Sequence, residues 1–342
     1  MEIAEGLTTP SATLKLGNIG YHPTSGQGQY SYENAADITY GPAETVIMKG
    51  TKAALLAGAL GWRSNNNDLD RRLGELRLAE TERGAWVKYL GGKHDIRETH
   101  VDLDTTYHFV QLGYDTDVKG WTIGGAVEYG TVKGNAVGGH ADGSIAGLAF
   151  YGTQRQEDGS YLDLIVRSGR VKNDFKVSNG AIDLSGDYKR WGYSASAEYG
   201  RRFRQQNGFY FEPSAELTFG RLQGTDCTAQ GGGHTLAIHQ DDFDSVIGKL
   251  TVGIGQETER SNLFLKVGVA HEFSGAFDTQ FKEAGLPPKS THVSLDDTWL
   301  NVEVGASASL SDNAYFYTTY TRSFCTDLNK EWRVDAGFRL NF

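Results

Sequence analysis

Along twelve segments between Gly84 and Phe342, apolar and polar residues alternate with a period of two. The final segment shows this most cleanly. There Trp332, Val334, Ala336, Phe338, Leu340 and Phe342 alternate with Arg333, Asp335, Gly337, Arg339 and Asn341. Successive side chains of a β-strand point to opposite faces, so the pattern specifies strands with one apolar and one polar face. The other segments begin near Gly84, Thr105, Trp121, Ser144, Tyr161, Trp191, Phe209, Ser245, Leu263, Leu300 and Ala314.

The connections alternate as well. Stretches 117–120, 157–159, 205–208, 257–261 and 311–313 read as tight turns, most of them rich in Gly, Asn or Asp. Those near 132–142, 172–186, 222–243 and 275–294 are longer. Short turns at one end and long loops at the other are the layout of an outer-membrane barrel. A soluble sandwich would bury the apolar face, whereas a barrel turns it to lipid and lines a lumen with the polar one. Three features favour the barrel. The polar face is rich in Gly, Ala and Ser with isolated acids, which suits a narrow, filled lumen. Aromatics gather at strand ends (Trp121 and Tyr129, Trp191 and Tyr199, Trp332 and Phe342), as interfacial girdles do. The sequence also closes on an apolar-face Phe.

Composition narrows the alternatives. Gly is 44 residues and Pro only 6, which fits many short strands and not a Pro-rich disordered chain. A net charge of −10 argues against a nucleic-acid binder. Cys227 and Cys325 lie in no CxxC or Cys/His cluster, so neither a disulfide scaffold nor a structural zinc site is expected. Both fall on the long-loop side, where a disulfide between them and two unpaired thiols are alternative readings. The longest apolar run, Ala53 to Trp62, is too short to cross a bilayer as a helix, and there is no N-terminal signal peptide. The chain therefore reads either as cytosolic or as the C-terminal part of a longer precursor.

Residues 1–43 are polar, without clear periodicity, and read as an extended lead-in. The next stretch, 44–83, turns helical. Leu55, Leu56, Ala59 and Leu60 share one face, and Leu69, Leu73 and Leu76 another, with Asn65 to Asp68 as a break. The second piece, Asp68 to Leu78, carries Asp70, Arg71, Arg72, Glu75 and Arg77. It is too polar for lipid and too charged for an ordinary core.

Arg72-Leu73-Gly74-Glu75-Leu76-Arg77 followed by Gly84-Ala85-Trp86 resembles the entry to the translocator domain of type Va autotransporters, of the pertactin-like and AIDA types. Further matches follow in order: Asn173 to Val177, Gly192 to Phe203, Phe211-Glu212-Pro213, Ala215-Glu216-Leu217, Ser245 to Leu250 and Phe338 to Phe342. The resemblance covers about 68–342. It implies an all-β fold: a 12-stranded antiparallel transmembrane β-barrel with an N-terminal α-helix inside the pore. It also implies export of an N-terminal passenger across the outer membrane of a Gram-negative bacterium. The 68–78 segment is then the pore helix. Its Arg71, Arg72 and Arg77, with Glu75, would face lumen groups: Glu128, Glu198, Glu212, Glu216 and Glu303, with Asp335 and Arg339 on the last strand. In one autotransporter subgroup an Asn in the pore helix cyclises and cuts the chain after itself. Aligned on Leu73 to Arg77, that scissile pair falls on Asn67-Asp68, although Asp68 and Asp70 stand where the subgroup has Asn. Trp332, Phe338, Leu340 and Phe342 resemble the signal read by the barrel-assembly machinery; lipid-facing packing is the plainer reading.

Other candidate chemistry is weaker. Asp163 with His271, or His239 with Asp241 and Asp242, are fragments of a triad without a Gly-x-Ser-x-Gly elbow. His234, His239 and Asp241 read as solvated loop residues and not as metal ligands. The expectation is a monomeric outer-membrane translocator (type V secretion), with a lead-in at 1–43, linker and pore helix at 44–83, and the barrel at 84–342. No cofactor, metal or nucleic acid is expected. The partners are its own passenger, the assembly machinery, periplasmic chaperones and outer-membrane lipid. A stand-alone 12-stranded porin is the alternative.

Overall fold

The computed structural model describes residues 45–66, 83–98, 101–284 and 288–342, and the backbone of four short strands ahead of them. Those short strands form two ladders. Ala12–Leu16 pairs with Ile38–Pro42, and between them Tyr21–Thr24 pairs with Gln27–Tyr30. Part of the lead-in thus has strand structure that its composition does not announce.

The alternating segments become twelve strands: β1 (Arg83–Glu98), β2 (Val101–Val118), β3 (Trp121–Ala136), β4 (Gly139–Arg155), β5 (Ser160–Ser178), β6 (Asp183–Arg201), β7 (Phe209–Leu222), β8 (Phe243–Glu257), β9 (Ser261–Ser274), β10 (Thr298–Ser311), β11 (Ala314–Phe324) and β12 (Leu328–Asn341). Each pairs antiparallel with its chain neighbour, and β12 closes on β1 with Val334 opposite Gly91 and Arg339 opposite Trp86. Closure leaves no backbone edge unpaired, which a lipid environment demands.

Burial is inverted. Leu112, Val127, Phe150, Val166, Leu217, Leu250 and Leu263 are exposed, while Lys88, Asp115, Glu128, Glu212, Asp335 and Arg339 are buried. The apolar row therefore faces the bilayer and the polar row faces inward. Tight turns close one rim. In the β2–β3 turn, Lys119 (φ 52°) and Gly120 (φ 82°) both take left-handed conformations, the pair that matches strand twist in a two-residue hairpin.

The connections read as long loops are largely β-structured. The β3–β4 connection is only Val137 and Gly138. Between β7 and β8, Thr225–Gly231 pairs with His234–Gln240, and between β9 and β10, Ala276–Glu283 pairs with Lys289–Ser294. The two hairpins join through His239 opposite Gln280. β5 shows why the ladder continues. Leu164 and Val166 point outward, whereas further along Val171, Phe175 and Val177 are buried. The apolar parity switches face where the strand leaves the membrane, because outside is then water and inside is a dry core.

That core surrounds one helix, α1 (Val46–Ser64). Its Ile47, Leu55, Leu56 and Leu60 pack with Leu90, Leu103, Phe109, Val132, Phe175 and Leu184 of the barrel wall, and with Leu236, Phe277 and Phe281 of the hairpins.

Candidate functional site

The functional feature is the lumen and the chain inside it. Thr45 caps α1, accepting from the Met48 amide at 3.3 Å. Small residues let the helix approach the wall. A Cβ on Gly50 would overlap the Gly138 carbonyl, one on Gly139 would overlap Gly50, and one on Gly134 would overlap Ala57. The N-terminal end of α1 therefore sits at the β3–β4 turn, at the rim opposite the tight turns. Mid-helix carbonyls accept from the wall: Asn173 Nδ2 donates to Ala54 O at 2.9 Å and the Tyr188 hydroxyl to Leu55 O at 3.2 Å.

The helix C-terminus ends in a charged collar. Arg333 Nη1 donates to Ser64 O at 2.9 Å, and Arg167 donates to Asn65 O. Cations are favoured there by the helix dipole and the unpaired terminal carbonyls. Arg167 also pairs with Glu128, whose carboxylate accepts from Asn65 Nδ2 at 2.9 Å and Gln111 Nε2 at 3.2 Å. Arg63 reaches Glu272 at 2.8 Å, and Glu272 accepts from Ser245. Arg167 lies over the Trp62 ring at 4.7 Å. Buried charges of this kind are tolerable only when paired and hydrogen-bonded.

The charged segment Asp68 to Leu78, with Arg71, Arg72, Glu75 and Arg77, lies outside the described residues, as does the Asn67-Asp68 pair. The described helix in the lumen is instead the apolar run upstream. Its slot is apolar because the wall around it is apolar, and the polar contacts come from Asn173 and Tyr188 at mid-helix and from Arg167, Arg333 and Glu128 at its C-terminal end.

Glu128, Glu198, Glu212, Glu216, Asp335 and Arg339 are buried on inward strand positions, and Glu303 is half-buried. Most are neutralised within the wall. Arg202 pairs with Glu212 at 2.5 Å, Lys249 with Glu216, Lys88 with Asp335 at 3.2 Å and Arg339 with Asp115 at 2.6 Å. Tyr161 donates to Glu198 at 2.9 Å and Thr321 to Glu303 at 3.1 Å. Only Glu128 among them has a hydrogen bond to the helix end in the described residues. Arg167, Glu272, Arg333 and Gln111 were not singled out from the sequence. Strand parity marks Arg333 as inward, but nothing local marks it as a helix cap. Beside the helix end a cavity of about 150 Å³ remains, lined by Arg63, His94, Glu216, Lys249, Asn301 and Arg333, among others.

Phe338, Leu340 and Phe342 are exposed to lipid and Trp332 is half-buried; Phe342 sits 6.2 Å from the Tyr114 ring. The triad fragments do not assemble. Asp163 is buried and bonded to Thr153, whereas His271 bonds Thr298 on the outer face. His239 bonds Asp226 at 2.7 Å and Asp241 at 3.2 Å. Asp242 instead accepts from the Gly224 amide. No group of three potential metal ligands occurs among the described residues. Cys227 and Cys325 are free thiols, which excludes the disulfide reading. Burial pushes the Cys227 thiol up to about 11, so it is a poor nucleophile.

Comparison with known proteins agrees with this architecture. The pertactin autotransporter of Bordetella bronchiseptica is 29% identical over 322 residues, covering 88% of this chain and 34% of its own length. The BrkA autotransporter of Bordetella pertussis is 25% identical over 358 residues, covering 97% of this chain and 34% of its own. The chain thus spans about a third of the length of these curated relatives. Among solved structures, the translocator domain of NalP from Neisseria meningitidis has a TM-score of 0.70 at 15% identity, covering 88% of this chain and 100% of that one. The β domain of Bordetella BrkA has a TM-score of 0.61 at 21% identity, covering 76% and 100%. The Autotransporter beta-domain family matches residues 85–321. With its closed barrel, lipid-facing apolar rows and threaded lumen, this chain belongs to the autotransporter β-domain family and is an outer-membrane translocator.

Proposed function

We propose that this barrel exports its own passenger and retains α1 as the last exported segment, which then seals the pore. The direction of the chain carries the reading. Val46 lies at the rim of the long hairpins, Asn65 at mid-barrel against Glu128, and Arg83 at the opposite rim, paired with Thr116 beside the tight turns. Such a path is what export of an upstream segment to the long-hairpin side leaves behind. The passenger's identity and activity belong to residues upstream.

In this reading the chain runs on from Asn66, at mid-barrel, to Arg83, at the tight-turn rim. Arg71, Arg72 and Arg77 would neutralise wall carboxylates there, and Glu75 would meet the basic groups. The exposed Phe338, Leu340 and Phe342, with Trp332, would serve as the recognition edge for the assembly machinery after periplasmic chaperones deliver the unfolded chain. Cleavage at Asn67-Asp68, by attack of the Asn67 side-chain amide on its own carbonyl carbon, would release the passenger in a single turnover. In support, Asn65, two residues upstream of Asn67, donates to Glu128 and accepts from Gln111.

Planar-bilayer recording separates export plug from porin. The full chain should conduct poorly, and deletion of residues 1–82 should open a large, steady conductance. Equal large conductance from both would favour the porin. Mass spectrometry of purified protein kept at neutral pH for days tests cleavage: an intact chain alone rules it out.

A further inference from the structure

We propose that the outer face of β5 and β6 carries a binding site for the phosphate groups of an outer-leaflet phosphorylated glycolipid, built by Arg170, Lys172 and Lys189. On β5 the outward residues change from Leu164 and Val166 through Ser168 to Arg170 and Lys172. On β6 they change from Tyr193 and Trp191 to Lys189. The register sets Trp191 opposite Arg170 and Lys189 opposite Lys172. The Arg170 guanidinium lies 5.5 Å from the Trp191 ring centre. The basic groups therefore stand one step above an aromatic girdle residue, at the rim of the long hairpins, where the outer-leaflet headgroups lie.

The second observation is what these cations lack. Two other basic side chains at this rim have carboxylate partners: Arg221 grips Asp244 through two bonds of 2.6 Å, and Lys93 pairs with Glu331 at 3.0 Å. Among the described residues no carboxylate pairs with Lys172 or Lys189. Two like charges directly opposite on neighbouring strands are destabilising, and an external anion between them would relieve that repulsion. In the next row outward Asp142 stands opposite Asp174 and Asp174 opposite Asp187, with Lys133 opposite Asp142 on the far side. Those acids confine the basic strip to one level, so a headgroup can place phosphate on it only with acyl chains running down over Trp191, Val166 and Phe150. A free anion in water gains nothing from that apolar wall, whereas an anchored lipid does.

The test uses the full chain folded in detergent without added lipid. Bisphosphorylated lipid A, enzymatically dephosphorylated lipid A and phosphatidylglycerol are titrated, and bound lipid is counted by native mass spectrometry. Wild type should prefer the bisphosphorylated lipid. Lys172→Gln with Lys189→Gln should weaken its binding by about 30-fold while leaving the dephosphorylated lipid unchanged. Arg322→Gln, an exposed cation on β11 away from this patch, should bind like wild type. Unchanged heat-modifiable gel migration checks that the lysine variant is folded. The proposal fails if wild type binds both lipid A forms equally, or if the lysine variant keeps the preference. It also fails if phosphatidylglycerol binds as tightly as bisphosphorylated lipid A.

Discussion

Arg167 does two things at once: it caps a helix carbonyl and it neutralises Glu128 inside the lumen. Removing it leaves a buried carboxylate without its cation. Arg167→Met should lower stability by about 3–5 kcal/mol, read as the urea midpoint of the detergent-folded barrel. Adding Glu128→Gln should recover a large part of that loss, since a neutral amide has less to lose by burial. If the two losses simply add, the coupling does not exist. Gly50 shows a second residue-scale constraint. Any side chain there meets the Gly138 backbone, which cannot swing aside as a long side chain can. Gly50→Leu should therefore unseat α1 and raise conductance toward that of the helix-deleted chain, while the barrel itself still folds.

Among elements, the hairpins over the pore are held differently from the membrane strands. In Thr225–Gly231 and His234–Gln240, the pairing of His239 with Asp226 raises the His239 pKa above 6.5. Its side chain is largely solvent-facing, so the effect on overall stability is small. The sign follows from the raised folded value. The contribution is present below the unfolded pKa and is lost as pH rises through the folded one. A proton NMR titration should place His239 above 6.5, and Asp226→Asn should bring it back toward that value; no movement would remove the pair from the account. At α1 the decisive property is fit, not charge. Its exposed polar groups are few, and its apolar faces are matched by Phe109, Val132, Phe175 and Leu184.

For the molecule as a whole, the governing balance is between lipid outside and a packed lumen inside. A charge placed on the lipid face should cost more the nearer it lies to the bilayer centre. Leu217→Arg should destabilise by about 2–4 kcal/mol, and the same change at Phe203, beside the tight turns, by about 0–1 kcal/mol. Equilibrium unfolding from lipid vesicles measures both. Equal costs at the two depths would mean that the exposed rows do not lie across a bilayer.

Much of this could be read from the chain alone. Period-two alternation determined where the strands run and which residues share a face, because side-chain direction in a strand depends only on parity. It also marked Glu128, Asp335 and Arg339 as sharing the polar face. Turn residues such as Lys119 and Gly120 determined the tight rim for the same local reason. What only the tertiary structure decided was the occupant of the described lumen. Val46 to Ser64 is apolar, and apolar helices are not expected in a polar pore. The pore becomes apolar there because β5 and its neighbours switch parity above the membrane, bringing Val171, Phe175 and Val177 of β5 inward to meet Val132, Leu184, Leu236 and Phe277 from separate strands and hairpins. That switch is visible on one strand as a change of phase, but the closed slot exists only once all the strands have paired, since no local stretch of sequence contains the opposite wall.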